Sequence, residues 1–173
     1  AAVFYMGSTV SELNIYRNAT LEFSRKINVS GADMTKALTT ALFSDSGKME
    51  LSVDEAQTLK KEHGVPLPSD NFLIRGKITA NQTLSLLRPK LEQINREITR
   101  CFDYYCDRNH VKKIDRIILL GEAALLKRYA EVLNAELGIP TVIGNPLEGM
   151  EFLAADQKPI DPQAIQSLTV ALG

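Results

Sequence analysis

Residues 114–150, IDRIILLGEAALLKRYAEVLNAELGIPTVIGNPLEGM, decide how this chain is read. The apolar run from Ile117 to Leu120 has the length and side chains of a buried strand, and it stops at Gly121. Leu125, Leu126, Tyr129, Leu133 and Leu137 then recur at helical spacing, which predicts one amphipathic helix ending at Gly138. Pro140 follows, and Thr141-Val142-Ile143 reads as a second short strand leading into Asn145-Pro146. A buried strand, a glycine turn and a helix N-terminus make a place where a ligand can sit at the end of a sheet.

Working back from Ile114, the longest helical pattern runs from Ala80 to about Arg108. Leu84, Leu87, Leu91, Ile94, Ile98, Cys101 and Tyr105 form its buried stripe, and Pro89 is the place for a kink. A shorter helix is expected from Val53 to Glu62, where Ser52 and Glu55 make a capping box and His63-Gly64 ends the run. Pro66 and Pro68 keep the next stretch extended. Another helix follows Ser30-Gly31 with Met34, Ala37, Leu38, Ala41 and Leu42 on its buried face, and Asp45-Ser46-Gly47-Lys48 is a loop. The chain begins with three strand patterns, Val3–Met6, Val10–Tyr16 and Thr20–Val29, the last with Leu21, Phe23 and Ile27 on one side. Tight connections at Gly7-Ser8-Thr9 and Arg17-Asn18 predict an antiparallel meander, because parallel pairing needs a long crossover. At the other end, a polar loop with Pro159 and Pro162 precedes a final helix from about Gln163 to Leu172.

A length of 173 residues suits one domain with a substantial core. A net charge of -1, with Lys and Arg scattered, argues against a nucleic-acid-binding surface. No apolar run approaches the roughly 20 residues needed to span a bilayer, and no secretory signal pattern is visible. Cys101 and Cys106 lie too far apart on one helix for a bridge and read as reduced thiols, and without secretion the sequons at Asn18, Asn28 and Asn81 carry no weight. His63 and His110 have no nearby Cys or clustered acids, so no metal site is expected. A ribonuclease-H-type nuclease needs carboxylates converging at the first strands; Glu12 and Glu22 are available, but Tyr5 stands at the key place. No Gly-x-Ser-x-Gly elbow supports a serine hydrolase.

Gly138-Ile139-Pro140, Asn145-Pro146-Leu147 and the closing stretch from Leu168 to Gly173 are similar in order and spacing to the type IV pilus assembly protein PilM family. That family belongs with the cell-division protein FtsA and the secretion protein GspL among the actin-like ATPases. The resemblance is strongest from about Ile98 to Gly173, weaker between Ser44 and Ile78, and matches only the second half of an actin-like protein. It implies an α/β, ribonuclease-H-like lobe with its core at about 1–43 and 79–173 and a small inserted subdomain at about 44–78. It also implies a cytoplasmic protein held at the inner membrane by PilN-like and PilO-like partners; a third reading is an actin-like lobe reused in an unrelated assembly, self-associating through its edges.

The same resemblance assigns candidate ATP and Mg²⁺ contacts. The Gly7-Ser8-Thr9 turn matches a hairpin whose backbone N–H groups cup phosphates. Gly31 lies in a stretch like Gly-Gly-x-x-x-Thr, Gln57 and Lys60 in one like Ala-Glu-x-x-Lys, and Gly121 and Glu122 in one like Gly-Gly-x-x. Each has a plainer alternative: an ordinary hairpin turn, a helix capped by Ser30 or Asp33, an exposed charged helix, and a first-turn acid complementing the helix dipole. The chain also departs from the family's pattern. Tyr5 stands for the Asp that acts through Mg²⁺, Ser30 for a glycine, Gln57 for an acid and Glu122 for the second glycine. A phenol is a poor substitute for a hard anionic oxygen, and a carboxylate beside a polyphosphate is unfavourable unless it turns away. No catalytic residue is expected. These departures favour a scaffold with a degenerate nucleotide site; the alternative is an active ATPase binding Mg-ATP in a cleft shared with a first lobe.

Overall fold

The computed structural model describes residues 1–40, 42–44, 47–74, 78–146 and 166, the side chains of 42–44, 47–49 and 74 excepted. Its strands and helices, in chain order, are β1 (Ala2–Met6), β2 (Ser11–Arg17), β3 (Thr20–Ile27), α1 (Gly31–Leu38), β4 (Leu42–Ser44), β5 (Gly47–Met49), α2 (Val53–His63), β6 (Leu73–Ile74), β7 (Ile78–Thr79), α3 (Ala80–Asn109), β8 (Ile117–Gly121), α4 (Glu122–Leu125), α5 (Tyr129–Leu137) and β9 (Thr141–Ile143). The main sheet has strand order β3-β2-β1-β8-β9. β1 to β3 pair antiparallel, while β8 joins β1 and β9 joins β8 in parallel. The meander follows from its tight turns: Asn18 and Ala19 both take positive φ, the mirror-image turn that matches strand twist. The parallel β1–β8 pair is reached only after the long crossover through α1, α2 and α3.

Strand alternation places the core. Ala2, Phe4 and Met6 of β1, Leu13 and Ile15 of β2, and Ile117 and Leu119 of β8 are buried, and with Leu87, Ile94, Ile98 and Cys101 of α3 they form one cluster. Each of the Leu, Ile, Phe and Met side chains among them stabilises the fold by about 1.5–3 kcal/mol. The predicted stripe of α3 is buried throughout, save for a half-buried Leu84, and the helix runs unbroken across Pro89. Thr79 and Gln82 start it with a capping box, and His110 in the left-handed region ends it.

Several expectations need correction. Val10 is outside β2 and 48% exposed, since Gly7 N–H closes the preceding turn on the Val10 carbonyl. Leu21 does not share a face with Phe23: Phe23 pairs with Ile15 but Leu21 with Tyr16, so an irregularity at Glu22 flips the strand and leaves Leu21 exposed. β3 ends at Ile27, short of Val29. α1 ends at Leu38, and Leu42 belongs to a hairpin of β4 and β5, not to the helix; Gly47 and Lys48 are strand, not loop. Ala41, Asp45 and Ser46 lie outside the described residues. β6 and β7 form a second small hairpin that the sequence does not announce. The helix expected after Gly121 is two helices, broken where Arg128 takes a φ of 64°. Of the final helix, only Gln166 is described.

Candidate functional site

The C-terminal ends of β1, β3 and β8 point the same way, and the candidate residues gather there because each follows one of these strands or faces them from α2. Gly7-Ser8-Thr9 follows β1, Ser30-Gly31 follows β3, and Gly121-Glu122 ends β8 and begins α4. Backbone contacts tie the first two together. Gly31 N–H donates to the Gly7 carbonyl and Ala32 N–H to the Ser8 carbonyl, both at 2.9 Å. Ser30 completes the cap: its hydroxyl accepts from Asp33 N–H, and the Asp33 carboxylate accepts from Ser30 N–H at 2.8 Å. The first donors of α1, which would otherwise face an anion, are therefore taken up within the chain. The Ser30 hydroxyl also donates to that carboxylate at 2.7 Å, and this bond, with that from Ser30 N–H, holds the Asp33 carboxyl below the usual carboxylate range.

Side chains occupy the space beside the glycines. The Tyr5 ring lies between Gly7 and Gly121: a Cβ on Gly7 would sit 2.7 Å from its hydroxyl, and one on Gly121 would sit 2.6 Å from Cε2. Gly121 also has a φ of 69°, which a bulkier residue would adopt only under strain. Burial first, and the Glu122 carboxylate second, push the Tyr5 phenol above its ordinary value. Glu122 crosses to Gly31, where an added Cβ would collide with its carboxylate. There the Lys60 ammonium meets Glu122 Oε2 at 2.6 Å and donates to the Gly31 carbonyl at 3.0 Å. The Lys60 side chain is only 8% exposed and that of Glu122 is 30% exposed, so the pair is largely withdrawn from solvent. A buried ammonium needs such partners, since an unpaired one costs several kcal/mol (about that order).

The structure thus brings Gly7 and Gly121 against Tyr5, and Gly31 and Lys60 against the neighbouring Glu122. Ser8 joins through its backbone carbonyl, whereas Thr9 and Gln57 sit at exposed positions. Sequence reasoning missed Gln166. Its side-chain oxygen accepts from Gly121 N–H and its amide donates to the Gly144 carbonyl, each at 2.9 Å. It is buried, and it bridges the ends of β8 and the β9 turn. In sequence Gln166 is one of several polar residues between Gln163 and Leu172, and nothing local singles it out or names its partner. The site is coupled to a second junction. Val65 N–H donates to the Lys127 carbonyl at 3.1 Å, Lys127 Nζ reaches the Glu62 carbonyl at 2.7 Å, and Arg128 pairs with Asp70. The break between α4 and α5 therefore receives the chain leaving α2.

A family model described as type IV pilus assembly protein PilM matches residues 1–173. Among solved structures, the chain is similar to a PilM-PilN type IV pilus biogenesis complex, at 19% identity and a TM-score of 0.65, over 99% of this chain and 43% of that one. It is also similar to MreB 5 of Spiroplasma citri bound to AMPPNP, at 17% identity and a TM-score of 0.63, over 82% of this chain and 47% of that one. The ethanolamine utilization protein EutJ from Carboxydothermus hydrogenoformans matches at 16% identity and a TM-score of 0.59, over 99% and 48%. These likenesses show the fold, an α/β lobe of the actin-like ATPase type, and the chain spans less than half the length of each of these solved chains.

Proposed function

The chain belongs to the type IV pilus assembly protein PilM family, and we propose that it acts there as a scaffold whose nucleotide place is filled by its own side chains. The observation that carries this reading is the position of Tyr5 and Glu122. The space left by bare backbone at Gly7, Gly31 and Gly121 is where an actin-like lobe would meet Mg²⁺-ATP, and here a phenol ring and a paired carboxylate stand in it. The residues present do not fit that group: no carboxylate replaces Tyr5, and Glu122 would bring negative charge against a polyphosphate. The ATPase alternative draws on neighbours bound to AMPPNP and ADP; it requires Lys60 and Glu122 to separate and Tyr5 to leave its place.

As a scaffold, the protein is cytoplasmic and reaches the inner membrane by holding PilN-like and PilO-like membrane proteins. A PilN-like partner is supported by the solved PilM-PilN complex. Among the described residues no helix is long and apolar enough to cross a membrane. The segment between α1 and α3 acts as a small subdomain fixed to the core. The test is co-purification of the full-length protein with its PilN-like partner, before and after removal of nucleotide and Mg²⁺ by a chelator and gel filtration. Equal recovery is expected. Recovery that depends on added Mg-ATP would favour the ATPase.

A further inference from the structure

We propose that the Gln166 side chain is a latch on the candidate site, holding Gly121 so that Glu122 stays on Lys60. Glu122 counts here as an occupant of that site, as in the scaffold reading on which the latch rests. Gln166 is 7% exposed, and its side-chain amide stands in for a peptide group where two strands part. β8 and β9 pair as far as Leu119 and Ile143, and Gly144 N–H adds a bond to the Leu119 carbonyl at 2.8 Å. Beyond that point Gln166 fills in: its oxygen accepts from Gly121 N–H and its nitrogen donates to the Gly144 carbonyl, each at 2.9 Å. Gly144 allows the close approach, since a Cβ there would lie 2.6 Å from Ile118 Cγ2 and 2.7 Å from Leu120 Cδ2.

The consequence for Glu122 follows from the backbone. Gly121 N–H is buried, so losing Gln166 leaves a donor without its acceptor, which is costly. The peptide regains a partner by turning toward water, and a glycine at a φ of 69° turns with less steric cost than any other residue. Gly121 is the N-cap of α4 and Glu122 is its first residue, so that turn carries Glu122 with it. Its carboxylate meets Lys60 Nζ at 2.6 Å, and a shift of about an ångström takes the pair outside hydrogen-bond range. Gln166 lies 45 residues beyond Gly121 in sequence, so the state of the candidate site is tied to a distant part of the chain.

The test compares the full-length parent with Gln166→Met, which keeps the side chain's length and removes its amide, both without nucleotide. Two quantities are read: hydrogen exchange of the Gly121 amide by NMR, and acetylation of Lys60 relative to the exposed Lys61 by mass spectrometry. Gln166→Met should exchange the Gly121 amide roughly tenfold faster, as for the loss of one hydrogen bond, and should acetylate Lys60 faster as well. Gln166→Glu, which keeps the acceptor, should fall between the two on both readouts. Ile98→Val, a change in the core of α3, controls for general loosening and should leave Lys60 as in the parent. An unchanged Lys60, an unchanged Gly121 amide, or an equal rise in Ile98→Val would each overturn the proposal. Tight Mg-ATP binding by the parent would instead contradict the scaffold reading and leave the latch standing.

Discussion

Two of the contacts joining the segment between α1 and α3 to the rest of the molecule are built by opposite means. At the candidate site, a side chain meets a side chain: Lys60 reaches Glu122. At the far end of α2, backbone meets backbone: Gly64, with a φ of 63°, lies against Lys127, and Val65 N–H donates to the Lys127 carbonyl. The first contact depends on which residues stand at two positions. The second depends on conformation, fixed by positive φ at Gly64 and Arg128. The second contact, a backbone joint, therefore does not require particular side chains at Val65 and Lys127, whereas the first is lost if either Lys60 or Glu122 is replaced.

The largest effect is expected from breaking the joint. In Gly64→Val the new side chain takes a positive φ and meets the Lys127 backbone, whose N would lie 2.6 Å from the Cβ. Urea unfolding should show a loss of about 3 kcal/mol or more. Breaking the other contact should cost less. Lys60→Met leaves the partly exposed Glu122 carboxylate without its cation, a loss of about 2 kcal/mol. The double variant Lys60→Met/Glu122→Gln should lose less than the sum of the single changes. Additive losses would mean that the two side chains do not stabilise one another.

Smaller effects sharpen the picture of the joint. A hydrogen bond from Leu67 N–H first, and the Arg128 guanidinium after it, hold the Asp70 carboxyl below the usual carboxylate range. With its folded pKa below its unfolded one, Asp70 contributes stability above about pH 4 that disappears as pH falls through the folded value. Asp70→Asn should accordingly be less stable at neutral pH and show a flatter acid limb in thermal melts across pH. The smallest effect is at Tyr129, which opens α5. Among the described residues its buried hydroxyl has no hydrogen-bond partner, and burial pushes the phenol far above its ordinary value. Tyr129→Phe should be neutral or stabilising by about 1 kcal/mol or less in the same urea assay.

The contrast also marks what a sequence reveals. Local signals placed most of the fold: turns between the first strands, capping residues before α1 and α2, the long stripe of α3, and the strand ending at Gly121. The break between α4 and α5 is hidden because Leu125, Leu126, Tyr129, Leu133 and Leu137 keep helical spacing across it, while at the break the Lys127 carbonyl accepts from Val65 N–H, a contact distant in sequence. Glu22 hid its irregularity in the same way, inside a run that alternates cleanly on paper. At the candidate site, the departures at Tyr5 and Glu122 were visible in the sequence but their consequence was not. Lys60 and Glu122 are far apart along the chain, and nothing local says that they meet or that Gln166 will take the Gly121 N–H.

The proposed scaffold role requires that this chain's own side chains stand where an actin-like lobe would hold nucleotide. The most direct test is a calorimetric titration of Mg-ATP into the full-length protein and, side by side, into its Tyr5→Asp/Glu122→Gly variant. No detectable heat is expected from the folded parent at millimolar nucleotide, and measurable binding is expected from the variant. Micromolar binding by the parent, with Tyr5 and Glu122 in place, would contradict it.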